Sequence, residues 1–156
     1  MGRVFFNTRE NIKEITESYS VLDSDSGNVF MLNSAANCVI TLPTDANVTL
    51  GWHARFIVQT ANDLSYTITT GDDADSGGDD FVGAILLGTT TAGDVNSIAP
   101  AANDYQIFLD ANLADTGGEV GSYVDIIKLA ADQWMVTGHV YSDDTDSDGS
   151  ALFQNN

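Results

Sequence analysis

The sequence predicts an all-β protein, a single β-sandwich or jelly-roll-like domain entered by an N-terminal arm. Two observations carry this reading. From Tyr19 onward, β-branched and aromatic runs are punctuated by Gly, Asn, Asp and Ser at intervals of about 8 to 12 residues. No interior segment reads convincingly as a helix. At 156 residues the chain is one domain of ordinary size, able to bury roughly 70% of its unfolded surface without disulfides or metals.

In order, strands are expected at 19–23, 28–33, 38–42, 52–59, 65–70, 81–87, 105–110, 122–129 and 134–141. Their connections carry turn chemistry. "DSDSGN" at 23 to 28 supplies Asx-type turn residues and a Gly for positive φ, and "LPTDAN" places Pro43 where a strand must stop. "LAADQW" is expected to close a hairpin with a four-residue turn. That hairpin, within "GSYVDIIKLAADQWMVTG" at 121 to 138, poses a question. Tyr123, Asp125, Ile127 and Leu129 share one face of its first arm, and Val124, Ile126 and Lys128 share the other. Apolar residues therefore lie on both faces, where a free-standing antiparallel sheet would keep one face wet.

Residues 1–17 read as a separate arm, and 18–156 as the sandwich domain. Asn7 or Thr8 could cap a short helix through "RENIKEITES", with Glu10 completing a capping box and Ile12 and Ile15 on one stripe. The alternative is an extended arm. A helix of roughly ten residues is not stable alone in water, so either form must dock on something, a partner or, as an extra edge strand, the arm's own domain. Arg3, Val4, Phe5, Phe6, Arg9, Ile12 and Ile15 are the residues expected to touch a shell or a neighbouring subunit. Phe5 and Phe6 have no place in a sandwich that begins near Tyr19.

Charge narrows the partners. Twenty-three acids against five bases give a net charge of −18, and residues 1–17 are neutral, so the deficit belongs to the body. Nucleic acid requires phosphate neutralisation by Lys and Arg, and an anionic membrane surface requires the same, so both are excluded as partners. Cys38 is the lone cysteine and reads as a small buried apolar residue. "MGRVFFNTRE" lacks the apolar centre of a signal peptide, and "FVGAILLG" at 81 to 88 is too short to span a bilayer. Synthesis in a cytoplasm is expected.

No motif supports catalysis. "GDDADSGGDD" at 71 to 80 holds five carboxylates, but glycoside hydrolysis needs one raised in pKa by an apolar pocket, and Gly and Ser neighbours are expected to leave these hydrated. His53 and His139 read as strand-face residues, and Cys38 with His53 has nothing to fix a nucleophile–base geometry. No cofactor is expected, apart from calcium. Asp144, Asp146 and Asp148 followed by Gly149 form the first half of a calcium loop, whose second half fails because Asn155 stands at the twelfth position. These three are the candidate calcium ligands. Trp52, Trp134, Tyr66, Tyr105 and Tyr123 could form a sugar-stacking platform, although core or interface packing explains them with fewer assumptions.

Four pieces taken in order resemble β-rich virion proteins of tailed bacteriophages. They are "YSVLDSDSGNVFMLNSAANCVITLPT", "ARFIVQTANDLSYTITT", "FVGAILLG" and "GSYVDIIKLAADQWMVTG". The resemblance implies a capsid decoration (cement) protein, a homotrimer on the outer surface of an icosahedral capsid that bridges major capsid proteins without chemistry. It brings no catalytic residue. The second reading is a tail or head fibre module that binds host glycans, and the third a calcium-dependent binding module. On the first reading, Tyr123, Ile127, Trp134 and Val136 pack in the interior or at an intersubunit face, and the second apolar face of the hairpin meets the opposite sheet or a neighbouring subunit.

Overall fold

The computed structural model describes residues 11–72, 79–89, 93–113, 115–143 and 149–155. Twelve strands lie among them. They are β1 (Asn11–Ile15), β2 (Tyr19–Ser20), β3 (Asn28–Leu32), β4 (Cys38–Thr41), β5 (His53–Val58), β6 (Tyr66–Thr69), β7 (Asp80–Thr89), β8 (Val95–Ile98), β9 (Gln106–Leu109), β10 (Tyr123–Ala130), β11 (Gln133–Ser142) and β12 (Phe153–Gln154). All nine expected strands are present, and β1, β8 and β12 are additional. The protein is all-β, a sandwich of two mixed sheets.

The sheets arise from how the chain winds. One sheet runs β1-β3-β5-β10-β11-β7-β8 and the other β12-β9-β6-β4-β2. Through its first six strands the chain alternates between sheets, and each strand pairs in parallel with the strand two before it: β1 with β3 with β5, and β2 with β4 with β6. A parallel pair needs a crossover longer than a tight turn; here the crossover is the intervening strand in the opposite sheet. The β10–β11 hairpin then adds antiparallel to β5, and β7 joins β11 in parallel.

This winding stacks like on like in the core. Phe30 lies beside Phe56 with ring centroids 4.9 Å apart and planes 10° from parallel, and Ile40 lies beside Ile68. Side chains alternate across each strand, so Phe30, Leu32, Phe56, Val58, Val124, Ile126, Trp134 and Val136 from the larger sheet meet Ile40, Tyr66, Ile68, Ile107 and Leu109 from the smaller in one core. Cys38 is buried there too, and burial pushes its thiol up from the ordinary value.

The hairpin turn is tighter than expected. Ala130 faces Gln133, leaving a two-residue turn in which Asp132 takes a φ of 59°, and the register shifts between Lys128 and Ala130.

Residues 11–15 form a strand where the capping-box pattern points to a helix; Asn7, Thr8 and Glu10 lie outside the described residues. The open edge of β3 satisfies backbone groups that a ten-residue helix in water would not hold together. Strand alternation then separates the two isoleucines, with Ile15 in the core and Ile12 outward and 71% exposed. Lys13 meets Tyr19 and Asp25, and Asp25 also accepts hydrogen bonds from the Tyr19 hydroxyl (2.8 Å), the Leu22 N–H (3.1 Å) and Asn28 Nδ2 (3.2 Å). Asp25→Ala should therefore loosen β1, at about 1 to 3 kcal/mol for the orphaned donors. Hydrogen exchange reads this directly, and unchanged protection at residues 11–15 would show that strand pairing alone holds β1.

Candidate functional site

The two sheets present different outer faces. On the smaller sheet, Ser20, Thr41, Thr69, Gln106 and Gln154 align in register across all five strands, a polar row suited to water. On the larger sheet the equivalent row is Glu14, Met31, Ile57, Tyr123, His139 and Leu86, and a second row of His53, Ile127, Met135 and Val82 lies beyond an intervening row of Val29, Arg55, Asp125, Thr137 and Ala84. Met31, Ile57, Tyr123, Ile127, Met135 and Val82 are half-buried and Leu86 is exposed. No third layer of described strands covers this face, which answers the hairpin question. Val124, Ile126 and Lys128 point into the sandwich, while Tyr123 and Ile127 belong to an apolar outer surface.

An ion pair crosses that surface. Arg55 binds Asp125 through two hydrogen bonds of 2.7 Å and lies over the Tyr123 ring at 4.9 Å. Strand register fixes it, since Arg55 and Asp125 are direct cross-strand partners. Together with His53, Asn28, Ile127 and Thr137 the pair lines a shallow depression.

Of the residues the sequence singles out, the structure places Trp134 and Val136 in the core, fully buried, and Tyr123 and Ile127 on the outer face. Ile12 and Ile15 lie on opposite faces of β1. Arg3, Val4, Phe5, Phe6 and Arg9, and the calcium candidates Asp144, Asp146 and Asp148, lie outside the described residues. The aromatic platform does not assemble. Trp52, Trp134 and Tyr66 are buried together in the core, and Trp52 meets Trp134 edge to face at 5.5 Å. His53 and His139 are strand-face residues on β5 and β11, the His139 ring packing tilted against Tyr141 with centroids 4.6 Å apart.

The expectation that the carboxylates of residues 71–80 stay hydrated is wrong for Asp79, which has no solvent exposure. It immediately precedes β7, and the pairing of β7 with β11 sets it beside Trp134 rather than in a loop tip. Its Oδ1 accepts a hydrogen bond from Lys128 Nζ at 2.5 Å and its Oδ2 accepts one from Trp134 Nε1 at 2.8 Å. Lys128, 2% exposed, also contacts Asp45 Oδ1 and sits 4.7 Å from the Trp134 ring centroid. Burial pushes the Asp79 carboxyl above the ordinary range, and the bonds from Lys128 and Trp134 offset only part of that. Burial also pushes Asp45 up. There the close approach and charge of Lys128, with the hydrogen bond from the Asp132 N–H, outweigh it and hold the group below the ordinary range.

Asp45, Asp72 and Asp79 converge closely enough to suggest a cation site. Lys128 Nζ fills that role, and the Asp72 carboxylate is turned to the Asp45 N–H at 2.5 Å. The group is an ion cluster built around a lysine. Comparison with protein-family models, curated proteins and solved structures found no match to this chain.

Proposed function

We propose that this chain is a structural virion protein, a capsid decoration protein that binds the assembled icosahedral head from outside and stabilises it by bridging major capsid proteins. The observation that supports this most is the apolar outer face of the larger sheet, half-exposed across its central strands and continuous with β1, the strand into which the N-terminal arm feeds. Such a face in an otherwise strongly acidic protein suits a surface partner. A ligand that binds only the assembled shell stabilises it by mass action, and several copies on one oligomer add avidity. On this reading no external substrate is turned over: Asp79 is raised in pKa but sealed from solvent, and Cys38 is enclosed in the core.

The glycan-binding fibre reading is weakened by the burial of both tryptophans and Tyr66. Its aromatic surface would reduce to Tyr123 and Tyr105.

Ile127→Lys combined with Met135→Glu should fold normally, because both positions are half-exposed and direct cross-strand partners. Co-sedimentation with heads lacking this protein should fall at least tenfold. Removing residues 2–10 while keeping β1 should do the same. Normal occupancy of heads by both variants, measured by gel densitometry of purified particles, would defeat the decoration reading, and saturable sugar binding would replace it with the fibre reading.

A further inference from the structure

We propose that the buried lysine is the site of a self-catalysed covalent modification, an isopeptide bond joining Lys128 Nζ to the side-chain carbonyl carbon of Asp45, with Asp79 carrying the protons. The three groups are placed for it. Lys128 Nζ touches Asp45 Oδ1, and that oxygen is buried without a hydrogen bond of ordinary geometry, so the contact is a close approach of nitrogen to the carboxyl group. Asp45 Oδ2 accepts the Asp132 N–H at 2.9 Å, which steadies the oxygen that is retained. On its other side Nζ donates to Asp79 Oδ1 at 2.5 Å, and Trp134 Nε1 fixes the opposite oxygen of Asp79.

The step balances with groups already present. Asp79 takes a proton from Lys128, and the nitrogen lone pair attacks Asp45 Cγ to form the C–N bond. The C–Oδ1 bond then breaks, and that oxygen leaves as water carrying two protons, both delivered from the nitrogen through Asp79. An ammonium and a carboxylate become a neutral amide and one water, with no oxidant, reductant or cofactor. In bulk water this condensation is unfavourable. Here two things favour it: the fold holds the lysine nitrogen against the Asp45 carboxyl group, replacing an encounter in solution, and the product removes two charges from a site where charge is costly to bury. A raised Asp79 is suited to hold the travelling proton. The half-exposed Asp45 gives the water a way out.

The scarcity of basic residues makes the test clean. In the denatured wild-type protein, trypsin cleaves after Arg3, Arg9, Lys13, Arg55 and, if its side chain is unmodified, Lys128. The expected intact mass is one water below that of the sequence. The expected digest joins fragment 14–55, which contains Asp45, to fragment 56–156, uncut at Lys128. Lys128→Arg and Asp79→Asn should both restore the sequence mass and release 14–55. An intact wild-type mass equal to that of the sequence overturns the proposal outright, whether or not any variant folds. A mass deficit with 14–55 released overturns the choice of Asp45, since Asp79 lies on the other fragment. A bond that persists in Asp79→Asn overturns the role given to Asp79.

Discussion

Trp134→Ala is expected to give a protein that is largely unfolded or insoluble at room temperature. The indole is fully buried, meets Trp52 edge to face, lies beside Phe81 in register and donates to Asp79. Truncating a buried Trp costs about 3 to 5 kcal/mol, against about 5 to 15 kcal/mol for the whole stability of a domain. The orphaned Asp79 oxygen adds to that. Trp134→Phe keeps most of the volume and loses the hydrogen bond to a carboxylate, worth about 1.5 to 3 kcal/mol, so it should fold with a lowered urea midpoint. If Trp134→Ala instead melts within a few degrees of the parent, Trp134 is not where the two sheets are held together.

Lys128→Met is expected to be comparably damaging at neutral pH and much less so in mild acid. Removing one partner of a buried ion pair costs about 3 to 5 kcal/mol, because the other charge is left uncompensated. The groups facing this position are Asp79, Asp45 and the Trp134 ring. Asp79 is already raised above its unfolded value, and losing the lysine raises it further. A raised carboxyl binds its proton more readily in the folded state, so folded-state stability is greatest below the unfolded pKa and is lost as pH rises through the folded pKa. Chemical denaturation of Lys128→Met at a series of pH values from the ordinary carboxylate range upward should therefore show a deficit that grows with pH. Adding Asp79→Asn should flatten that slope. A deficit independent of pH would mean that Asp79 does not titrate in response to Lys128.

Much of this architecture could be read from the chain, and the gaps have physical causes. Alternation in "YVDIIK" set Lys128 on the same face as Val124 and Ile126, the inward face. Its burial was not legible, because the acids that accept it are 49 residues away in the case of Asp79 and still further in the case of Asp45. Sequence neighbours of Asp79 suggested water; its spatial neighbours are Trp134 and Lys128. Strand direction was equally hidden, since period-two patterning is the same for parallel and antiparallel partners. The edge strand β8, with exposed Val95, Asn96 and Ser97, carries almost no burial pattern to detect. In β1, two isoleucines three residues apart fit a helical stripe as well as they fit opposite faces of a strand.

All three Lys and Arg residues among the described ones are held in ion pairs: Lys13 with Asp25, Arg55 with Asp125 and Lys128 with Asp45 and Asp79. The other two bases of the chain, Arg3 and Arg9, both precede β1. The net charge of −18 carried by the whole chain is therefore left with no unpaired basic side chain among the described residues to offset it. Two such bodies repel until the ionic atmosphere shortens their reach, to about 10 Å at 0.1 M salt. Any lattice that holds copies of this protein side by side must set them farther apart than that, lie in a medium salty enough to screen them, or supply positive charge from the surface beneath.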